Sequence, residues 1–533
     1  MILLVILLAG AVRFRLREMP LERDEGEYAY AGQLILQGVP PYELACNMKL
    51  PGTYYAYALG MAVFGQTVAG IHLTLLVVNS LIILFVYLLG RRLFGATAGL
   101  VAGAGYAVMS VSPHVFGMAA HANFFVILFA VPATLLLWRA LENHSRKTLF
   151  ACGTLYGLAL LMKQQGVCFG LFGWAVLLLS EFGREPFAWP VIRRPGFWSR
   201  AAKDSLVFAL GMLLPAGLTA LYLWRAGVFS KFWFWTFTYA HTYVTQVPLL
   251  AGWDLLRIHL KATAGLSLGL WLLVGVGIVA GLRGDKYRKP ALFAAMLWFF
   301  SFLATAIGLY FRPHYFILLL PAFAILTGLA VAAAQETLRS YWNDRLARWI
   351  PLLVVVVLLG WNVLLQFEVL FCLPPDQTCV RVYPNNPFVE ATIVAQYLRE
   401  NAPAQASVAV IGSEPEIYFY TRLHSATTCF YTYPLMESQP YAATMQHEMM
   451  REIEFARPEY LVYVAFNNSW LAHSDSNLEI LYWKNRYTRA FYQRVGIVEQ
   501  RPSGEIICHW NDDAKFFDPA NNHHFDIYRR KPD

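Results

Sequence analysis

Charged side chains make up only 14% of this 533-residue chain, against roughly a quarter in an ordinary globular domain. The shortage is concentrated before Phe371, which excludes a water-soluble protein over that stretch. After Phe371 the composition of a soluble domain returns. No basic run occurs: the formal charge of +8 is spread as scattered Lys and Arg between apolar blocks, which speaks for membrane-side loops and against a nucleic-acid surface. Cysteine is sparse as well, with seven residues and no Cys-x-x-Cys pair, so no close metal-ligand pattern exists. Cys46, Cys152 and Cys168 fall in or near apolar segments. Cys372, Cys379, Cys429 and Cys508 fall in the polar last third, where they suit one or two disulfides or, equally, unpaired structural thiols. Internal repeats and low-complexity linkers are missing too, unlike the inverted repeats of many transporters.

What fills the first two-thirds is a succession of apolar blocks of roughly 17–22 residues, the length a helix needs to cross the hydrocarbon core. Candidate spans lie near residues 1–16, 72–90, 96–112, 119–138, 148–162, 166–181, 205–224, 263–282, 291–309, 315–334 and 350–371, about eleven in all. Met1 to Val12 is apolar without a small-residue cleavage site before Arg13, and reads as a first span instead of a removed signal peptide. Alternate loops collect cations: Arg91 and Arg92; Arg139, Arg146 and Lys147; Arg184, Arg193, Arg194, Arg200 and Lys203; Arg283 to Lys289; Arg339 to Arg348. The loops between them, near 113–118, 163–165 and 310–314, hold only Lys163 and Arg312. The positive-inside rule then puts the N-terminus in the cytoplasm and residues 372–533 outside, for a chain in the plasma membrane. Arg13, Arg15, Arg17 and Arg23 break the rule, following the first span on the outer side, so a local task is expected of them.

Two outer segments are too long for simple turns. Residues 19–71 hold two short amphipathic stretches, Glu27–Gln37 and Thr53–Phe64, stopped by Gly38 and Gly65. Residues 225–261 are rich in Trp and Tyr, the composition of a segment lying at the membrane interface. The tail reads α/β: a helix at 388–401, a buried strand at 407–411, a helical turn at 415–421, a helix at 442–456 and a strand at 460–464. Further strands are expected near 491–498, 505–509 and 525–529. The expected organisation is a membrane part, 1–371, and an outer α/β domain, 372–533. The Gly412-Ser413-Glu414-Pro415-Glu416 run reads as a strand-to-helix turn.

Chemistry gathers in the first outer loop. Arg23-Asp24-Glu25-Gly26-Glu27-Tyr28-Ala29-Tyr30 leads into Gly38-Val39-Pro40-Pro41-Tyr42 and then Lys49-Leu50-Pro51-Gly52-Thr53-Tyr54. Carboxylates beside an apolar run at a membrane surface are costly unless employed. Neighbouring helical residues point about 100° apart, so Asp24 and Glu25 cannot both face one atom: one acts while the other caps or supports. Asp24 with Glu27 also has the spacing of a helix capping box. Arg312 and His314, in Tyr310-Phe311-Arg312-Pro313-His314-Tyr315, need partners among those aromatics. Lys163 with Gln164 and Gln165 is a further polar cluster, expected at the outer edge and facing the cavity, whereas His114, His121 and Asn123 read as interfacial polar groups without a metal pattern.

The string Asp-Glu-x-x-Tyr-Ala, Gly-x-x-Pro-Tyr, Lys-x-Pro and Phe64-Gly65 resembles the first loop of the GT-C glycosyltransferases, nearest to the branch of protein O-mannosyltransferases and lipid A aminoarabinose transferases (glycosyltransferase family 39-like). The resemblance covers roughly residues 1–335. It implies a polytopic α-helical GT-C fold and transfer of a sugar from a polyprenyl-phosphate carrier to a protein, lipid or glycan acceptor at the outer membrane face, with inversion. It makes Asp24 the catalytic carboxylate with Glu25 beside it, and Lys49, Arg312, His314 and Tyr315 the phosphate contacts. Glu27, Tyr42, Tyr54, Lys163 and His121 are expected around the cavity. Some GT-C enzymes need a divalent ion; this branch implies no required metal or other cofactor. Glu27 and Met48 stand where the aminoarabinose transferases carry Arg and Glu, a departure that bears on the sugar. A transporter or lipid flippase is the rival reading, accounting for the spans but not for this loop.

Overall fold

A computed structural model describes residues 1–182, 197–264 and 267–532; the loop cations Arg184, Arg193 and Arg194 fall outside them. In the first part, apolar side chains surround whole helices. Leu210 and Leu213 on the helix Phe197–Arg225, and Leu353 and Val356 on Asp344–Leu365, are exposed. Only a lipid solvent accepts such a surface. Six described helices are long and apolar enough to cross a membrane, and a bent pair, Leu249–Thr263 with Leu268–Arg283, would make a seventh. The other expected spans are shorter helices: α1 (Ile2–Arg15), Ala96–Ser110, Arg146–Met162 and Val167–Phe182. At the centre, the apolar stretch of Pro313–Leu338 is enclosed by its neighbours.

Helices α2 (Arg23–Leu36) and α3 (Pro51–Phe64) build the first loop. Each is longer at its start than the amphipathic pattern suggests. Glu22 supplies a cap for α2, and Pro51 suits the first turn of α3, where its missing N–H costs nothing. Gly38, just past α2, and Gly65, at the end of α3, both have positive φ. The aromatic segment is helical as well, Phe229–Trp233, Phe234–Tyr239, Ala240–Val244 and Leu249–Ala264. Trp233 and Trp253 stay exposed while Trp235 and Tyr239 turn inward, so interface lying describes only half of it.

The tail folds as one six-stranded sheet of β1 (Ser407–Ile411), β2 (His424–Ser425), β3 (Tyr460–Val464), β4 (Tyr492–Gln500), β5 (Ile506–Trp510) and β6 (His524–Arg530). Its order is β2-β1-β3-β6-β4-β5. β1 runs parallel to β2 and β3, while β6 is antiparallel to β3 and β4, and β4 to β5. The last four residues of β1 are buried, as parallel strands require. The helices Pro375–Val382 and Glu479–Phe491 add to the expected elements, although both are amphipathic. All seven cysteines are free.

The arginines that break the loop-charge rule are bound within the protein. Arg13 donates to the carbonyls of Gly117 and Ser110, both at 2.8 Å, and Arg15 to those of Leu370 and Leu373. Arg17 lies over Phe14. Arg23 reaches into the tail, donating to Ser413 O at 2.5 Å, Glu414 Oε1 at 2.8 Å and Asn386 Oδ1 at 3.1 Å. The turn after β1 is therefore a docking point for α2.

Candidate active site

Where α2 begins decides which carboxylate is free. Glu22 accepts from the Glu25 N–H at 3.0 Å and Glu25 accepts from the Glu22 N–H at 3.3 Å, a reciprocal capping box. The box thus sits two residues before the Asp24/Glu27 frame suggested by spacing, and Asp24 has no cap to serve. Glu25 is fully engaged and buried: its Oε1 accepts from the Ala120 N–H at 2.6 Å and lies 3.2 Å from His72 Nε2. Glu25 supports; Asp24 faces the cavity.

Lys49 Nζ lies 3.3 Å from Asp24 Oδ1, the Tyr431 hydroxyl 3.4 Å from the same oxygen, and His314 Nε2 3.9 Å from Oδ2. Burial alone would push this carboxyl up. Lys49 above all, with His121, Lys163 and Arg312, outweighs burial and holds Asp24 well below the usual carboxylate range. Lys49 moves the other way: burial opposes its charge, but Asp24 and then Glu27 lift its ammonium above the usual range.

Glu27, Tyr42 and Tyr54 lie a layer below this pair. Glu27 accepts from Tyr54 at 2.7 Å and Asn47 at 2.8 Å, and burial still pushes it up to about 7. Tyr42, at a left-handed φ of 69°, donates to the Lys49 carbonyl at 2.7 Å. Gln164 donates to Met48 O at 2.7 Å. Together these fix the loop that presents Lys49. Lys163 does not stand on the wall: it donates to Asn123 Oδ1 at 2.9 Å beneath the ring of Tyr315. Burial, then the charge of Lys49, brings its ammonium down to about 7. His121 belongs to the site, contrary to the interfacial reading: its ring stacks on His314 with centroids 4.4 Å apart. Burial pulls it down to about 4.

Arg312 arrives on a strained loop in which Leu309 and Phe311 both have positive φ, each costing about 1–3 kcal/mol that the surroundings must hold. Two cavities meet at Asp24, Arg312 and His314. The larger, about 500 Å³, also touches Arg23, His121 and Tyr383; the smaller, about 60 Å³, touches Lys49, Tyr239 and Glu437. Tyr431, Tyr433 and Glu437 come from the tail, and nothing in its sequence singles them out. Tyr239 and Tyr243 come from 225–261, where aromatic richness was a signal of anchoring only. Asp24, His121 and His314 offer ligand atoms within 4.8 Å of one another, a geometry that could hold a metal ion. Lys49, Lys163 and Arg312 already act on that carboxylate, so a dication would enter against their charge.

Similar proteins are found both by sequence and by fold. A family model described as dolichyl-phosphate-mannose-protein mannosyltransferase matches residues 48–193. Undecaprenyl phosphate-alpha-4-amino-4-deoxy-L-arabinose arabinosyl transferases of Pseudomonas aeruginosa and Pseudomonas paraeruginosa are 30% identical over 242 residues, 42% of this chain. The chain spans only about two-fifths of the length of these curated relatives, 39%. Among solved structures, ArnT from Cupriavidus metallidurans bound to undecaprenyl phosphate matches with TM-score 0.58 at 16% identity, over 87% of this chain and 92% of that one. The oligosaccharyltransferase AglB from Archaeoglobus fulgidus matches with TM-score 0.54 at 14% identity, over 100% of this chain and 76% of that one. The fold is therefore that of these two solved structures, a helical membrane protein with a C-terminal sheet domain. Over part of its sequence the chain resembles the protein mannosyltransferases and aminoarabinose transferases.

Proposed function

We propose that this protein transfers a sugar from a polyprenyl-phosphate carrier to an acceptor at the outer face of the plasma membrane, through about eleven spans and without a required metal. The observation that carries the reading is the Asp24–Lys49 pair, 3.3 Å apart, beside Arg312 in cavities closed by the tail. An acceptor hydroxyl oxygen bonds to the anomeric carbon as the bond from that carbon to the phosphate oxygen breaks. The hydroxyl proton passes to Asp24 and the bonding pair leaves with the carrier phosphate, inverting the centre. Lys49 and Arg312 meet the charge that grows on that phosphate, in the role a metal fills elsewhere.

One difficulty is that a carboxylate held so far down is a weak base. Lys49 leads the cations that hold it there. A bound phosphate claims the same cations, which eases their hold and lets Asp24 rise toward a useful basicity. The carrier thereby activates its own base.

The test compares Lys49→Ala, Arg312→Ala and the double variant in reconstituted full-length protein with a polyprenyl-phosphate sugar. Each single change should lower the maximal rate more than it weakens carrier binding, and the double should cost less than the sum. Weakened binding with intact turnover at saturating carrier would reduce both residues to lipid holders.

A further inference from the structure

Glu437 is a second carboxylate on the wall of the small cavity that holds Asp24, and the chemistry above gives it no task. It comes from the tail, directly after the helix Tyr433–Met436. Two donors from the aromatic segment fix it, the Tyr239 hydroxyl and Gln246 Nε2, the latter at 3.3 Å. Both donate to the same oxygen, Oε2. Gln246 is itself fixed by Tyr310, whose hydroxyl donates to its Oε1 at 3.1 Å, and Tyr310 stacks on Tyr243. The carboxylate is thus held in one orientation by two other stretches of chain, the aromatic segment and the loop of Tyr310.

No protein donor to Oε1 of Glu437 is found among the described residues, although this carboxylate lines the cavity. A charged acceptor fixed by one oxygen and open at the other is a built hydrogen-bonding position. Around it stand the rings of Tyr239, Tyr243, Tyr431 and Tyr433, while the phosphate-seeking cations Lys49 and Arg312 lie on the same cavity. Aromatic faces beside an oriented carboxylate suit a polyol: ring C–H groups pack on the tyrosines and a hydroxyl or amino hydrogen meets the carboxylate. A lipid chain has no donor for that oxygen, and a phosphate would be repelled by it.

We infer that Glu437 is a specificity-determining residue that accepts a hydrogen bond from the sugar carried on the polyprenyl phosphate, so the tail reads the sugar while the membrane part reads the phosphate. This rests on the transferase reading given above. Removing the carboxylate should then weaken binding of a sugar-bearing carrier while leaving the bare carrier untouched. Glu437→Gln is the informative change. Its carbonyl oxygen would stay with Tyr239 and Gln246, turning an N–H₂ donor to the cavity where an acceptor stood.

Binding is measured on the full-length chain in nanodiscs, without acceptor. The probes are undecaprenyl phosphate and the same carrier bearing mannose, glucose or 4-amino-4-deoxyarabinose. The wild type should bind one sugar-bearing form more tightly than bare carrier. Glu437→Gln should lose roughly tenfold or more on that form and leave undecaprenyl phosphate itself within twofold. Gln246→Leu loosens the clasp but keeps the carboxylate, and should preserve the ratio of the two affinities. Equal losses on both probes, no loss on either, or the same sugar-specific loss in Gln246→Leu would overturn the inference. A wild type that binds the bare carrier and prefers no sugar in the panel would overturn it too. A wild type that binds no carrier at all would instead bring down the transferase reading, and this inference with it.

Discussion

Asp24 and Lys163 carry opposite electrostatic burdens, and each can be tested by titration or substitution. If Asp24 takes the acceptor proton, Asp24→Asn should lose roughly 10²–10⁴-fold in turnover while still binding the carrier. Glu25→Gln should act through stability instead, because Glu25 bonds Ala120, His72 and the start of α2. Near-normal turnover in a stable Asp24→Asn protein would remove Asp24 from the chemistry. Lys163 is half charged near neutrality, since burial and then Lys49 bring its ammonium to about 7, with Arg312 pulling the same way and Asp24 and Glu22 against. An anionic carrier favours the charged ammonium. Above pH 7 binding must therefore take up a proton, and affinity should fall by up to tenfold per pH unit. Lys163→Arg stays charged and should flatten that fall. Carrier affinities measured from pH 6 to 8.5 check both, and a flat wild-type profile would mean that Lys163 does not feel the phosphate.

Helix α2 serves two masters: its first turn carries Asp24, and the same turn is pressed against the tail. A Cβ built on Gly26 would fall 2.6 Å from the backbone nitrogen of Glu416, which has no flexible end to yield. Gly26→Ala should therefore cost about 1–3 kcal/mol by overpacking, and it should lower turnover as well, because α2 must shift away from Tyr431. Thermal unfolding and turnover of the purified variant would settle this. A variant that melts normally and turns over normally would show the contact to be slack. The outline of such elements was legible in the sequence wherever one period ran unbroken. The helices at 388–401 and 442–456 and the strands at 407–411 and 460–464 were read at their observed bounds. Asp24 and Arg312 were legible because charges between apolar runs demand partners, and Lys49 because its Lys-x-Pro string resembles a known family's loop. Glu437, Tyr431 and Tyr433 were not, since they stand in a soluble stretch where polar and aromatic residues need no explanation until the tail is seen to dock. The frame of the α2 cap was missed because Asp is a favoured cap residue and Glu is not, and only the buried bonds of Glu25 put Glu22 there.

At the scale of the whole molecule, the expected orientation rests on loop charge, and it decides which side of the membrane the proposed chemistry faces. Exposed pairs such as Arg92–Glu142, Arg146–Asp204 and Lys286–Glu336 lie at the cation-rich loops. Such pairs contribute little stability, so their value as evidence is positional: Lys and Arg in short loops are retained in the cytoplasm. The cations at the other end are not free to bias orientation in the same way, because Arg13, Arg15 and Arg23 are bound to carbonyls and to Glu414. With the bound arginines discounted, the loop-charge rule predicts Asp24, Lys49, Arg312 and the tail outside, as the proposed function requires. The chain supplies its own probe, since Cys372 is the exposed cysteine among the seven while Cys46, Cys152, Cys168 and Cys379 are buried. A membrane-impermeant maleimide added to intact cells, or to spheroplasts where an outer membrane bars entry, should label the protein, and Cys372→Ser should remove most of that labelling. In a background lacking Cys372, Cys429 and Cys508, Lys286→Cys should react only after the membrane is broken. If Lys286→Cys were labelled in intact cells while Cys372 stayed silent, the site would face the cytoplasm, where the carrier would have to be loaded and used on one side.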